Sequence, residues 1–117
     1  MMTFASQPTV YLHREPIDFR KQINGLSLIV QESTDLNLFD ESFFAFINRS
    51  RTRIKILYWQ KNGFCLWLKR LEKDKFAWPK AVNQDVMAIS TQELQWLLDG
   101  FNIWLQPPHQ TLKYAAV

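Results

Sequence analysis

The sequence predicts an α+β fold: a single domain in which an antiparallel β-meander packs against two or so helices. Three observations carry this expectation. Between Phe43 and Trp78, segments rich in β-branched and aromatic residues alternate with turn-forming ones. From Phe19 the apolar residues recur at a helical spacing, and Ser90-Thr91-Gln92-Glu93 is a capping box that opens a second helix. At 117 residues, 47% hydrophobic and 21% charged, the chain has material for one packed core over residues 1–117 and lacks the composition of a disordered protein.

The elements follow in chain order. Thr9 to His13 is rich in β-formers and reads as a short strand that turns at Arg14-Glu15-Pro16. Phe19, Ile23, Leu26, Ile29 and Val30 mark one face of a helix over Phe19 to Val30, with Asp18 as its N-cap. Gly25 either breaks that helix or lets another group approach closely. Ser33 to Asp40 is a polar loop. Phe43 to Ile47 and Arg53 to Gln60 are strands joined by the turn Asn48-Arg49-Ser50-Arg51, and Asn62-Gly63 suits a tight hairpin into Phe64 to Leu71. Glu72-Lys73-Asp74 suggests a third hairpin into Lys75 to Trp78, ended by Pro79.

If Asn62-Gly63 is a two-residue loop, Tyr58 faces Trp67, Trp59 faces Leu66 and Lys55 faces Arg70. That last pair would repel, so either the register is shifted or an anion lies between the two cations. The second helix carries Leu94, Leu97, Leu98 and Phe101 on one face and closes at Gly100. An irregular tail is expected from about residue 102, containing Trp104, Pro107, Pro108 and Tyr114.

The net charge of +3 arises by cancellation: residues 1–47 are acidic, while residues 48–75 carry nine of the fourteen cations. This band is interleaved with Tyr58, Trp59, Phe64 and Trp67, a combination that attracts phosphates and offers flat faces to bases. It equally suits a solvated sheet face with blunted edges.

Catalytic and metal chemistry are not expected. The acids are scattered, His13 and His109 lack companions at ligand spacing, and Cys65 between Phe64 and Leu66 reads as a small core residue. Gly25, Gly63 and Gly100 build no phosphate loop. A single cysteine, no apolar run near the roughly 20 residues of a membrane helix, and no signal pattern together predict a soluble cytoplasmic protein with no membrane partner and no cofactor.

Several stretches occur together in a recognisable order: Asp18-Phe19-Arg20-Lys21 with Gly25-Leu26, Arg53 to Trp59, Asn62 to Leu66, Lys69-Arg70-Leu71-Glu72 with Phe76 and Trp78-Pro79, and Leu97-Leu98-Asp99-Gly100. In these the chain resembles, over about residues 9–101, the TnpB-type accessory proteins of the IS sixty-six group of bacterial insertion sequences. It departs from them at Ile23-Asn24, where Phe-Asp is common, and in lacking a basic tail. The resemblance implies a helper of transposition encoded beside a separate transposase, and it supplies no catalytic or binding residues to carry over. The expected function is therefore non-catalytic: contact with the DNA backbone through the basic meander, or docking of the transposase without DNA. The candidate contact residues are Arg20 and Lys21, on the polar side of the first helix, with Arg49, Arg51, Arg53, Lys55, Lys69 and Arg70. As surface cations, Lys55 and Arg70 are expected to tolerate joint replacement by Gln without loss of stability.

Overall fold

The computed structural model describes residues 7–80 and 84–105. A five-stranded sheet has strands in the order β4-β3-β2-β1-β5, with a helix on each face. The strands are β1 (Thr9–His13), β2 (Ser42–Ile47), β3 (Arg53–Gln60), β4 (Gly63–Arg70) and β5 (Val86–Ile89); the helices are α1 (Ile23–Ser33) and α2 (Thr91–Leu98). The α+β class and the antiparallel β2-β3-β4 meander are as the sequence predicts. β1 adds one parallel pair with β2, and α1 supplies the crossover that a parallel pair needs.

The central strands are buried on both faces, which is why Phe43 to Ile47 reads as an uninterrupted apolar run. On one face Val10, Leu12, Phe43, Ile54 and Ile56 meet Leu94, Leu97 and Leu98 of α2. On the other, Phe44, Phe46 and Leu57 meet Leu26 and Val30 of α1. α2 begins where its capping box places it: Ser90 Oγ accepts from the Glu93 amide at 3.0 Å, and Glu93 Oε1 accepts from the Ser90 amide at 2.9 Å. Gly100, at φ 99°, ends it in the left-handed conformation that glycine adopts without steric cost.

Four expectations need correction. First, α1 starts at Ile23 with Gln22 as its N-cap, and Asp18 caps nothing. The Asp18 carboxylate instead accepts from the Arg20 amide at 2.9 Å and from its guanidinium, closing a separate local turn. Gly25 does not break α1; a Cβ there would lie 3.1 Å from Lys21 Cβ, so the close approach is that of the Lys21 side chain.

Second, the β3-β4 loop is Lys61-Asn62, with Lys61 at φ 55°, and Gly63 pairs with Gln60. The register is thus two residues from the one expected, and Lys55 faces Leu68, not Arg70. A two-residue slip leaves every side chain on its expected face. It also brings Trp59 edge-on to Phe64, with ring centroids 5.0 Å apart.

Third, Lys75 to Trp78 is not a strand. The chain instead bends back to the β2-β3 turn, where the Leu71 amide donates to Thr52 O and the Phe76 amide to Arg51 O, each at 2.8 Å. Phe76 and Trp78 are buried all the same.

Fourth, β5 is an additional strand, antiparallel to β1. Of the expected tail, Trp104 is half-buried against the core, while His109, Pro107, Pro108 and Tyr114 lie outside the described residues.

Candidate nucleic-acid interface

The residues Asn48-Arg49-Ser50-Arg51-Thr52-Arg53 alternate small polar side chains with arginines. The small residues form the frame. Asn48 Oδ1 accepts from the amides of Thr52 at 2.9 Å and Arg53 at 3.0 Å. Its Nδ2 donates to Ser50 Oγ and Thr52 Oγ1, which lie 2.9 Å from each other. The Asn48 amide donates to Arg53 O, and the Arg51 amide to Asn48 O. A turn so densely bonded presents its three arginines from a fixed backbone. Arg49 and Arg53 are exposed and Arg51 is half-buried at φ 62°. Among the described residues, none of the three has a carboxylate within 4.0 Å.

Arg70 joins this group because it is the direct cross-strand partner of Arg53. Like charges in that position repel, and an exposed ion pair from Arg70 Nε to Glu72 Oε2, at 2.9 Å, offsets part of the repulsion. Arg20 and Lys21 lie in the loop before α1, not on the helix itself. That loop is tied to the same end of the sheet by the Ile17 amide, which donates to Ile47 O at 2.9 Å. Pro16 to Phe19 and Asn48 to Ser50 enclose an open cleft of about 580 Å³. Arg20 is exposed but bound to Asp18, whose carboxyl its guanidinium lowers from 3.8 to about 2.

The other two expected contacts are occupied. Lys55 is 5% exposed. Its Nζ donates to Phe19 O and Lys21 O, both at 2.8 Å, and lies 4.9 Å from the centroid of the Phe19 ring. Burial first, and then the charge of Arg53, lower its pKa. Lys69 lies on the opposite face of the sheet and donates to Leu98 O at 2.8 Å, at the C-terminal end of α2 where a cation complements the helix dipole. The sheet therefore splits the band: Arg20, Lys21, Arg49, Arg51, Arg53 and Arg70 gather at one end, while Lys55 and Lys69 serve as internal ties.

At the opposite end of β3 and β4 is a feature that charge counting does not reveal. Phe39 is 58% exposed and meets Trp59 edge-on at 4.9 Å and Phe64 at 5.7 Å. Only the loop position of Phe39, next to a strand rich in aromatics, could have signalled it.

Among the described residues no three His, Cys, Asp or Glu side chains gather where they could hold a metal, and no helix is long and apolar enough to cross a membrane.

Comparison with known proteins adds a family. The family described as "IS66 Orf2 like protein" matches residues 8–107. A relative from Sinorhizobium fredii (strain NBRC 101917 / NGR234), described as "Uncharacterized protein y4hO", is 34% identical over 107 residues, covering 92% of this chain and 91% of its own. A second from the same strain, "Uncharacterized protein y4jC", is 28% identical over 99 residues, covering 85% and 83%. No solved structure gives a significant match.

Proposed function

The chain belongs to the IS66 Orf2-like family of insertion-sequence proteins, and from that premise we propose that it is a non-catalytic, cytoplasmic accessory protein of transposition that grips the DNA backbone through the arginine turn. The observation that supports this most is the framed turn itself. Asn48, Ser50 and Thr52 bond to one another and to the backbone, Arg53 faces Arg70 across the strands, and among the described residues Arg49, Arg51 and Arg53 have no carboxylate within 4.0 Å. Arginines held in this way meet phosphates at low entropic cost, and their mutual repulsion is relieved when an anion lies among them. Among the described residues neither helix lies at the arginine turn, and contacts to the phosphate backbone of the kind proposed carry no base sequence.

The aromatic end favours a second reading, in which the protein docks the element's transposase and does not bind DNA. The exposed Phe39 ring against Trp59 and Phe64 is the kind of aromatic anchor on which protein interfaces depend. One experiment separates the two readings: salt-dependent binding to element-end DNA, against co-purification with transposase from nuclease-treated extract. DNA binding that weakens steeply with salt supports the first. Nuclease-resistant co-purification that is lost in Phe39→Ser, with no DNA binding by the purified protein, supports the second.

A further inference from the structure

On the α2 side of the arginine turn is a second open cleft, of about 570 Å³, within the roughly 300 to 1,000 Å³ of small-molecule sites. Three cations line it, Arg51, Lys75 and Lys80, together with Trp78 and Trp104. Among the described residues none of these cations has a carboxylate within 4.0 Å. Trp78 is 3% exposed and its Nε1 donates to His13 O and Arg14 O; Trp104 is half-buried and its Nε1 donates to Ala77 O at 2.6 Å. Both rings are thus held in place by bonds on one side.

Arg51 bears two costs that its own contacts do not offset. Its backbone is left-handed at φ 62°, and its Nε is enclosed without a hydrogen-bond acceptor. Lys61 and Asp74 share that left-handed φ in their own turns, so what marks Arg51 is the enclosed, unpaired Nε in a residue that lines a cleft.

We propose that this cleft takes one unstacked nucleotide of a single DNA strand, its phosphate among Arg51, Lys75 and Lys80 and its base against Trp104. The pairing of clustered cations with a fixed indole suits a ligand that is anionic at one end and flat at the other, and each stacked base adds about 1–3 kcal/mol, or roughly fivefold to 150-fold in affinity. The inference rests on the reading that the basic end meets DNA, and it adds that the protein engages an opened or frayed strand as well as the outside of a duplex.

The test uses the full chain, with anisotropy to follow a short mixed-sequence single strand, the same strand with abasic sites, and the blunt duplex. The expected result is that the abasic strand binds about fivefold or more weakly than the intact one. The double variant Lys75→Gln/Lys80→Gln, at two cations that line this cleft and lie outside the arginine turn, should weaken single-strand binding by about tenfold while changing duplex affinity by no more than about twofold. Arg51→Gly removes a side chain shared by the cleft and the arginine turn, so it should weaken single-strand and duplex binding alike, with an unchanged or higher melting temperature because glycine adopts the left-handed φ freely. Equal affinity for intact and abasic strands, or equal losses on single strand and duplex in Lys75→Gln/Lys80→Gln, would overturn the nucleotide site while the duplex-binding function stands. Preferential capture of polyglutamate over single-stranded DNA would overturn it in favour of an acidic protein ligand. No binding to any DNA would remove the function together with the site.

Discussion

Lys55 lies beneath Phe19: its ammonium donates to the Phe19 carbonyl oxygen at 2.8 Å and stands 4.9 Å from the centre of the same residue's ring. With the second bond to Lys21 O, one buried cation fastens the loop before α1 to the centre of the sheet. Lys55 and Arg53 share a face of β3, yet that loop roofs only Lys55 and leaves Arg53 in solvent.

Lys55→Gln should therefore destabilise the fold by roughly 3 kcal/mol, since charge-assisted hydrogen bonds contribute about 1.5–3 kcal/mol each and the two carbonyls would lose their donor. The sequence-based expectation that Lys55 and Arg70 could be replaced together without loss does not suit this geometry. Arg53→Gln should alter stability by about 0.5 kcal/mol or less, as surface substitutions do. Urea denaturation of the two variants makes the comparison, and equal midpoints would mean that the Lys55 tie contributes nothing.

Asp18 makes stability depend on acid. Its folded pKa is lowered to about 2 from 3.8, chiefly by the hydrogen bonds from Arg20. The unfolded chain therefore binds this proton first, so the contribution is complete above about pH 4 and is lost as pH falls towards 2. Asp18→Asn should flatten the decline in urea midpoint over that window and leave the midpoint at pH 7 to pH 9 without pH dependence from this site. An unchanged acid slope would show that the Asp18-Arg20 pair does not persist in solution.

Asn48 links stability to the proposed interface. Asn48→Ala leaves the Thr52 and Arg53 amides without their acceptor, at an expected cost of about 1–3 kcal/mol. Because the arginines are then presented from a looser turn, DNA affinity should fall under conditions in which the variant is still fully folded by circular dichroism. Asn48→Asp keeps the acceptor and should recover most of the stability, but its added negative charge should still weaken DNA binding. Recovery of both properties together would indicate that the turn has only a structural role.

What could be read in advance depended on how local its cause is. α2 was legible because its start, period and stop lie within Ser90 to Gly100, and the meander because the Asn48 and Asn62 turns separate β-rich segments. β5 was not: Val86 to Ile89 is four residues without alternation, and it is a strand because β1 offers it an edge. The start of α1 was misplaced because Asp18, a good cap by type, bonds to Arg20 instead. The position of the basic cluster was legible in Asn48 to Arg53 and Arg70, while the loss of Lys55 and Lys69 to internal carbonyls depends on contacts with residues 36 and 29 positions away. No one-dimensional count of charge contains those contacts.

The central claim, that the arginine turn and not the whole basic band meets the DNA backbone, is tested most directly by the salt dependence of duplex binding in two variants. Each lost phosphate contact reduces the slope of log affinity against log salt concentration by about 1. Arg53→Gln/Arg70→Gln should lower that slope by about 2 with an unchanged melting temperature. Lys69→Gln should keep the parent slope and melt lower, because its ammonium is engaged with Leu98 O. Equal slopes in the parent and the double arginine variant, or a parent that binds no duplex at low salt, would contradict the account.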